Sequence, residues 1–217
     1  MEYFLDLLNV FIDIVLHLDA HLLMLTQQYG IWIYAILFLI IYCETGLVIA
    51  PFLPGDSLLF VAGTLCGMGA LQLEWLAPLL MLAAFGGDNT NYWIGRLIGL
   101  RLLKRMNGLI KREHLDKTHA FYEKHGGKTI LFARFLPIIR TFAPFVAGIG
   151  LMRYRLFVLF SALGSFVWIG SLTVAGYLFG NIPAVKNNLT LIIVGIIVFS
   201  LLPALSELIR HRKKKQQ

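Results

Sequence analysis

Long apolar stretches separated by short polar ones set the rhythm of this chain. Residues 31–50, 75–95, 129–152, 156–179 and 189–209 are each predominantly apolar, and each is long enough to cross the ~30 Å hydrocarbon core of a bilayer. Helices satisfy their own backbone groups inside lipid, so the pattern predicts an all-α polytopic membrane protein. The run over 75–95 is interrupted late, at Gly86-Gly87-Asp88. Residues 1–28 are apolar but carry Asp6, Asp13, His17, Asp19 and His21, which suits an amphipathic helix lying in the interface better than one crossing it. Residues 100–125 mix Leu, Met and Phe with Lys, Arg and Glu and read as further amphipathic helices, with Gly126-Gly127 as the break that follows. The expected organisation is an interfacial helix over 1–28, a core over 29–183, a transmembrane helix over 184–209 and a basic tail over 210–217.

Composition agrees: the 217 residues are 58% hydrophobic and 14% charged, more apolar surface than a soluble domain of this size buries. Charge then adds direction. Residues 1–95 hold eight acids and no Lys or Arg, and all nineteen basic residues fall in 96–217, clustered over 96–128 and at 210–215. The positive-inside rule places both clusters in the cytoplasm and accounts for them with no nucleic-acid partner.

Two cytoplasmic clusters require an even number of crossings between Lys128 and Arg210, yet three apolar runs occupy that interval. One of them must turn back. Residues 129–152 contain Pro137, Pro144, Arg134 and Arg140 and end near Arg153 and Arg155, so they are expected to form a re-entrant hairpin broken at the prolines. A matching pattern lies earlier in the chain. Phe52-Leu53-Pro54 leads to Phe60-Val61-Ala62-Gly63, as Phe135-Leu136-Pro137 leads to Phe145-Val146-Ala147-Gly148. A weaker echo joins Trp93-Ile94-Gly95 to Trp168-Ile169-Gly170. Read as a repeat, residues 51–69, with breaks at Pro54 and Gly55, form a second hairpin entering from the opposite face, an inverted repeat with two opposed re-entrant hairpins. Chance similarity between apolar segments is the alternative.

The candidate chemistry lies in charges inside these segments, where each costs ~2.5–3.5 kcal/mol on insertion scales. Glu44 interrupts one run, Asp56 follows Pro54-Gly55, and Arg134 and Arg140 lie in the second hairpin. One reading is that acids and arginines neutralise each other and fix the hairpins together. The other is use, because protonating an acid would free a guanidinium to hold an anion such as phosphate. Asp88 either extends this polar lining or marks a helix break, and Tyr92, Thr141 and Trp168 are further candidates to line a cavity. Cys43 and Cys66 lack any disulfide or zinc spacing, and His114, His119 and His125 do not share a helical face, so neither a metal nor a cofactor is expected. With Thr141 the only hydroxyl beside the arginines, no catalytic residue is assigned and an enzyme is not expected.

Together Glu44, Phe52-Leu53-Pro54-Gly55-Asp56, Gly87-Asp88, Tyr92, Gly95-Arg96, His125-Gly126, Arg134-Phe135-Leu136-Pro137-Ile138-Ile139-Arg140-Thr141, Pro144 and Ala147-Gly148 resemble the DedA family, also called the VTT or SNARE-associated Golgi-protein domain family. The likeness runs from about residue 28 to 183. The resemblance implies bacterial inner-membrane transporters driven by the proton-motive force, some of which return undecaprenyl phosphate or other phospholipids across the bilayer. It also implies opposed re-entrant hairpins, proton coupling at Glu44 and Asp56, and phosphate binding at Arg134 and Arg140. The family's Asp-x-x-Gly-Tyr pattern is departed from, with Asn91 before Tyr92. The reading is therefore a multi-pass inner-membrane transporter with a cytoplasmic C-terminus, whose partners are protons and membrane lipids, a lipid phosphate above all. A second copy of the chain, in a homo-oligomer, is a further candidate partner. Alternatives are an ion or drug/proton antiporter on the same scaffold and a non-transporting membrane assembly factor.

Overall fold

A computed structural model describes residues 18–47, 55–105, 127–180, 182–183, 191–192 and 194–196. Within them the chain is helical and holds no strand: α1 (Leu18–Tyr29), α2 (Trp32–Gly46), α3 (Gly55–Gly67), α4 (Leu73–Arg105), α5 (Lys128–Ala133), α6 (Pro137–Ile149) and α7 (Tyr154–Phe179). Pro54, residues 1–17, the histidines at 114, 119 and 125, and the tail over 210–217 lie outside the described residues, as does most of the segment over 184–209.

Among the described residues, α7 is the helix both long and apolar enough to cross a membrane. Its 26 residues rise ~39 Å. The apolar helices α2 and α3, and residues Ile139–Ile149 of α6, fall short of the ~20 residues a crossing needs. Such lengths arise where glycine and proline cut apolar sequence into pieces.

Two of the expected breaks are absent. Helix α4 runs unbroken through Gly86-Gly87-Asp88 for 33 residues, because the close contacts made there outweigh glycine's poor helix propensity. Helix α6 likewise runs through Pro144 to Ile149. A proline inside such a helix removes one backbone hydrogen bond without ending it when neighbouring groups resatisfy the backbone. The break that does occur is earlier, at Arg134-Phe135-Leu136, where Leu136 is extended (φ −115°, ψ 105°) and Pro137 opens α6. A turn at Gly150-Leu151 closes α6, with Leu151 in the left-handed region at φ 53° and Met152 N–H donating to the Ala147 carbonyl.

The chain divides into two units. The first comprises residues 1–37, 54–79 and 169–217. In it α1 packs on α3, and α3 crosses the end of α7 backbone to backbone. A Cβ at Gly63 would strike the Thr173 carbonyl, and one at Gly176 would strike the Phe60 carbonyl. Small residues at such a crossing let helix backbones approach where lipid offers no hydrophobic drive. Near the turns α1–α2 and α3–α4, the same unit holds a cavity of about 600 Å³ lined by Thr26, Ile31, Tyr34, Leu71, Trp75 and Leu79 among others.

The second unit comprises residues 38–53 and 80–168. Its core gathers Tyr92, Ile130, Ala133, Ala143, Ala147, Met152 and Phe157, and α5 packs against α6. Here α6 crosses α4 by the same device. A Cβ at Gly148 would strike the Tyr92 carbonyl, and one at Gly95 would strike the Phe145 carbonyl. The two Phe-Val-Ala-Gly segments thus occupy equivalent crossings, Phe60 and Gly63 in one unit, Phe145 and Gly148 in the other. In these crossings Gly95 faces the Phe145 carbonyl as Gly176 faces the Phe60 carbonyl, so the counterpart of Gly95 lies six residues beyond the Gly170 of the sequence echo.

Candidate functional site

Four helices of the second unit, and the break between α5 and α6, converge on a buried polar cluster. The last turn of α2 supplies Glu44 and Thr45. The middle of α4 supplies Asp88 and Asn91, whose three-residue spacing puts them on one face. Arg134 comes from the break after α5, and Arg140 and Thr141 from the first turns of α6. The first part of α7 supplies Ser161, Ser165 and Trp168 at positions i, i+4 and i+7, a polar stripe on an otherwise apolar helix. All ten side chains are buried.

Two ion pairs organise the cluster. Arg134 Nη2 donates to Asp88 Oδ2, and Arg140 Nη2 donates to Glu44 Oε1. Ser161 Oγ donates to the same Asp88 oxygen at 2.6 Å, and Arg134 Nη2 also reaches the Ser161 carbonyl at 3.5 Å. Both guanidiniums face one indole: Arg140 Cζ lies 4.2 Å and Arg134 Cζ 5.6 Å from the centroid of Trp168. A ring face favours a cation, the more so when water is excluded. Withdrawing four charges from water costs several kcal/mol each, repaid only by good geometry and further hydrogen bonds. A pair of this kind is weak as a stability device and strong as a constraint, since removing one member strands the other.

A side-chain amide ties the pair-bearing elements together. Asn91 Nδ2 donates to the Thr45 carbonyl at 3.2 Å and to the Thr141 carbonyl at 2.7 Å. These carbonyls belong to the residues that directly follow Glu44 and Arg140. The Tyr42 hydroxyl and Thr90 Oγ1 add a second link between α2 and α4, 2.7 Å apart.

The acids of the two ion pairs are Glu44 and Asp88. Asp88, given a subordinate part by the sequence, is the partner of Arg134. Asp56 sits in the first turn of α3, in the other unit, half-buried, where a carboxylate suits the helix N-terminus. Tyr92, expected to line a cavity, is instead part of the core. Its hydroxyl donates to the Met152 carbonyl at 2.6 Å and receives Arg96 Nη1 at 2.7 Å, and its ring stacks on Phe157 with centroids 4.4 Å apart. Trp168 lies against both arginines, and Thr141 enters through its carbonyl. Thr45, Asn91, Ser161 and Ser165 are not among the candidates that the sequence offers. The spacings of Asp88 with Asn91 and of Ser161, Ser165 and Trp168 are the signals that mark them. Among the described residues no group of three or more His, Cys, Asp or Glu is placed to hold a metal ion.

The family described as VTT domain matches residues 53–178. Protein DedA of Escherichia coli strain K12 is 56% identical over 212 residues, covering 96% of this chain and 97% of that protein. An uncharacterised membrane protein of Mycobacterium leprae strain TN is 48% identical over 76% of this chain and 75% of its own. The inner membrane protein YqjA of E. coli K12 is 34% identical over 70% of this chain and 69% of its own. No solved structure matches the chain.

Proposed function

Because this chain belongs to the DedA family of VTT-domain membrane proteins, we propose that it is a proton-coupled transporter of the inner membrane that carries a lipid phosphate, such as undecaprenyl phosphate or another phospholipid, from one leaflet to the other. The observation that carries this reading is the pair of fully buried carboxylate–guanidinium contacts, Glu44 with Arg140 and Asp88 with Arg134, stacked on one indole. In a membrane interior, ionisable groups mark substrate and proton pathways. Guanidinium groups match phosphate oxygens in geometry as well as charge.

In the proposed cycle, a proton taken up by Glu44 neutralises the partner of Arg140, and the released guanidinium accepts a phosphate headgroup. Loss of the proton on the other side restores the ion pair and expels the lipid. Asp88 serves Arg134 in the same way, and Asp56, in the first turn of α3, is a further proton-coupling acid. We read α5 and α6 as a re-entrant hairpin, since six and thirteen residues are too short to cross, and α3 as its counterpart. Movement of these broken helices about the fixed charges would alternate access between the two faces.

The test is reconstitution into liposomes with a polyprenyl phosphate in one leaflet. Translocation that accelerates when a pH gradient is imposed supports the proposal. Gradient-driven cation exchange with no lipid movement would instead identify an ion or drug/proton antiporter.

A further inference from the structure

The Asn91 amide has a fixed orientation. Both of its partners, the carbonyls of Thr45 and Thr141, can only accept hydrogen bonds, so the end facing them must be the NH₂ group. Both amide hydrogens are thereby used. The other end, Oδ1, is buried with no hydrogen-bond partner among the described residues, in a side chain whose relative exposure is 0%. A buried acceptor left unmade costs about 1–3 kcal/mol, so an isolated one calls for a reason. One helical turn back along α4 is Asp88. Its partner Arg134 keeps Nη1 buried and equally without a hydrogen-bond partner. Arg134 Nη1 is thus an unfilled guanidinium donor and Asn91 Oδ1 an unfilled amide acceptor.

We infer that Asn91 is a specificity-determining residue: its Oδ1 accepts a hydrogen bond from a P–OH group, while Arg134 Nη1 donates to another oxygen of the same phosphate. This rests on the lipid-phosphate reading above and narrows it to phosphate monoesters carrying one proton. A phosphodiester has the same single negative charge but no P–OH, and its bound form would leave Oδ1 unmade. The charged groups around the amide are Asp88 on its own helix, Glu44 on α2, Arg140 on α6 and Arg134 at the break before α6. Asn91 is neutral among them and senses the proton on the ligand through geometry rather than charge.

The experiment compares binding of dodecyl phosphate and its methyl diester to the purified full-length protein. It is done at about pH 5, below the second ionisation of a phosphate monoester at about 6, so that both ligands are monoanions. The wild type should bind the monoester about tenfold more tightly than the diester, the effect of one buried hydrogen bond. Asn91→Ala should abolish the preference, bringing the monoester-to-diester affinity ratio to about one, whatever the loss of its ties to the Thr45 and Thr141 carbonyls does to both ligands. A purely structural tie would weaken both ligands together and keep their ratio, which would overturn the inference. Equal wild-type affinity for the two ligands would overturn it without recourse to any variant. If neither ligand binds the wild type, the lipid-phosphate reading itself fails, and this inference with it.

Discussion

Arg134 donates to the carboxylate of Asp88, forty-six positions earlier in the chain and equally buried. Removing one member of such a pair leaves an uncompensated charge, at a cost of about 3–5 kcal/mol. Asp88→Ala and Arg134→Met should therefore each destabilise the detergent-solubilised protein by about that amount, whereas the double variant should lose much less than the sum. Thermal unfolding of the four proteins measures the coupling. Additive losses would mean that the two residues do not act as a pair.

Trp168 serves both arginines with one ring. A cation over an aromatic face gains about 0.5–2 kcal/mol, with the larger values where water is excluded. Trp168→Phe keeps a ring face and should retain more stability and more transport than Trp168→Leu, which keeps apolar volume alone. Equal behaviour of the two variants would show that the indole acts only as filler.

The two glycine crossings should respond alike because they are built alike. An added methyl at Gly95 or Gly148 meets the backbone of the facing helix, as it does at Gly63 or Gly176. Overpacking of this kind costs about 1–3 kcal/mol. Alanine at each of the four positions should lower the unfolding temperature, whereas Gly195→Ala, with nothing within 4 Å of an added Cβ among the described residues, should not. A neutral result at Gly95 together with Gly148 would contradict the close approach of α4 and α6.

Much of this was legible in the residues. The apolar runs over 156–179 and 75–95 correspond to α7 and most of α4, and the paired Phe-Val-Ala-Gly segments mark the equivalent crossings in the two units. What periodicity and spacing left open was partner choice. Glu44, Asp56 and Asp88 are all acids in apolar surroundings, and which of them meets Arg134 depends on how α4 and the break before α6 are brought together. The misplaced breaks have a local cause. Gly86-Gly87 and Pro144 carry strong propensity signals against helix, and tertiary contacts overrode them. Asn91 shows in the sequence through its departure from a family pattern and its three-residue spacing from Asp88, but its hydrogen bonds to two distant carbonyls leave no local trace.

The central claim is that protonation of a buried acid opens an ion pair to a lipid phosphate, and Glu44→Gln addresses it most directly. The substituted amide is neutral like a protonated carboxyl, so Arg140 loses the opposite charge that Glu44 supplies. The measurement is the rate of polyprenyl phosphate translocation by the reconstituted full-length protein, with and without an imposed pH gradient. The account predicts that Glu44→Gln still binds the lipid while its translocation rate no longer responds to the gradient. A gradient response equal to that of the wild type would contradict it.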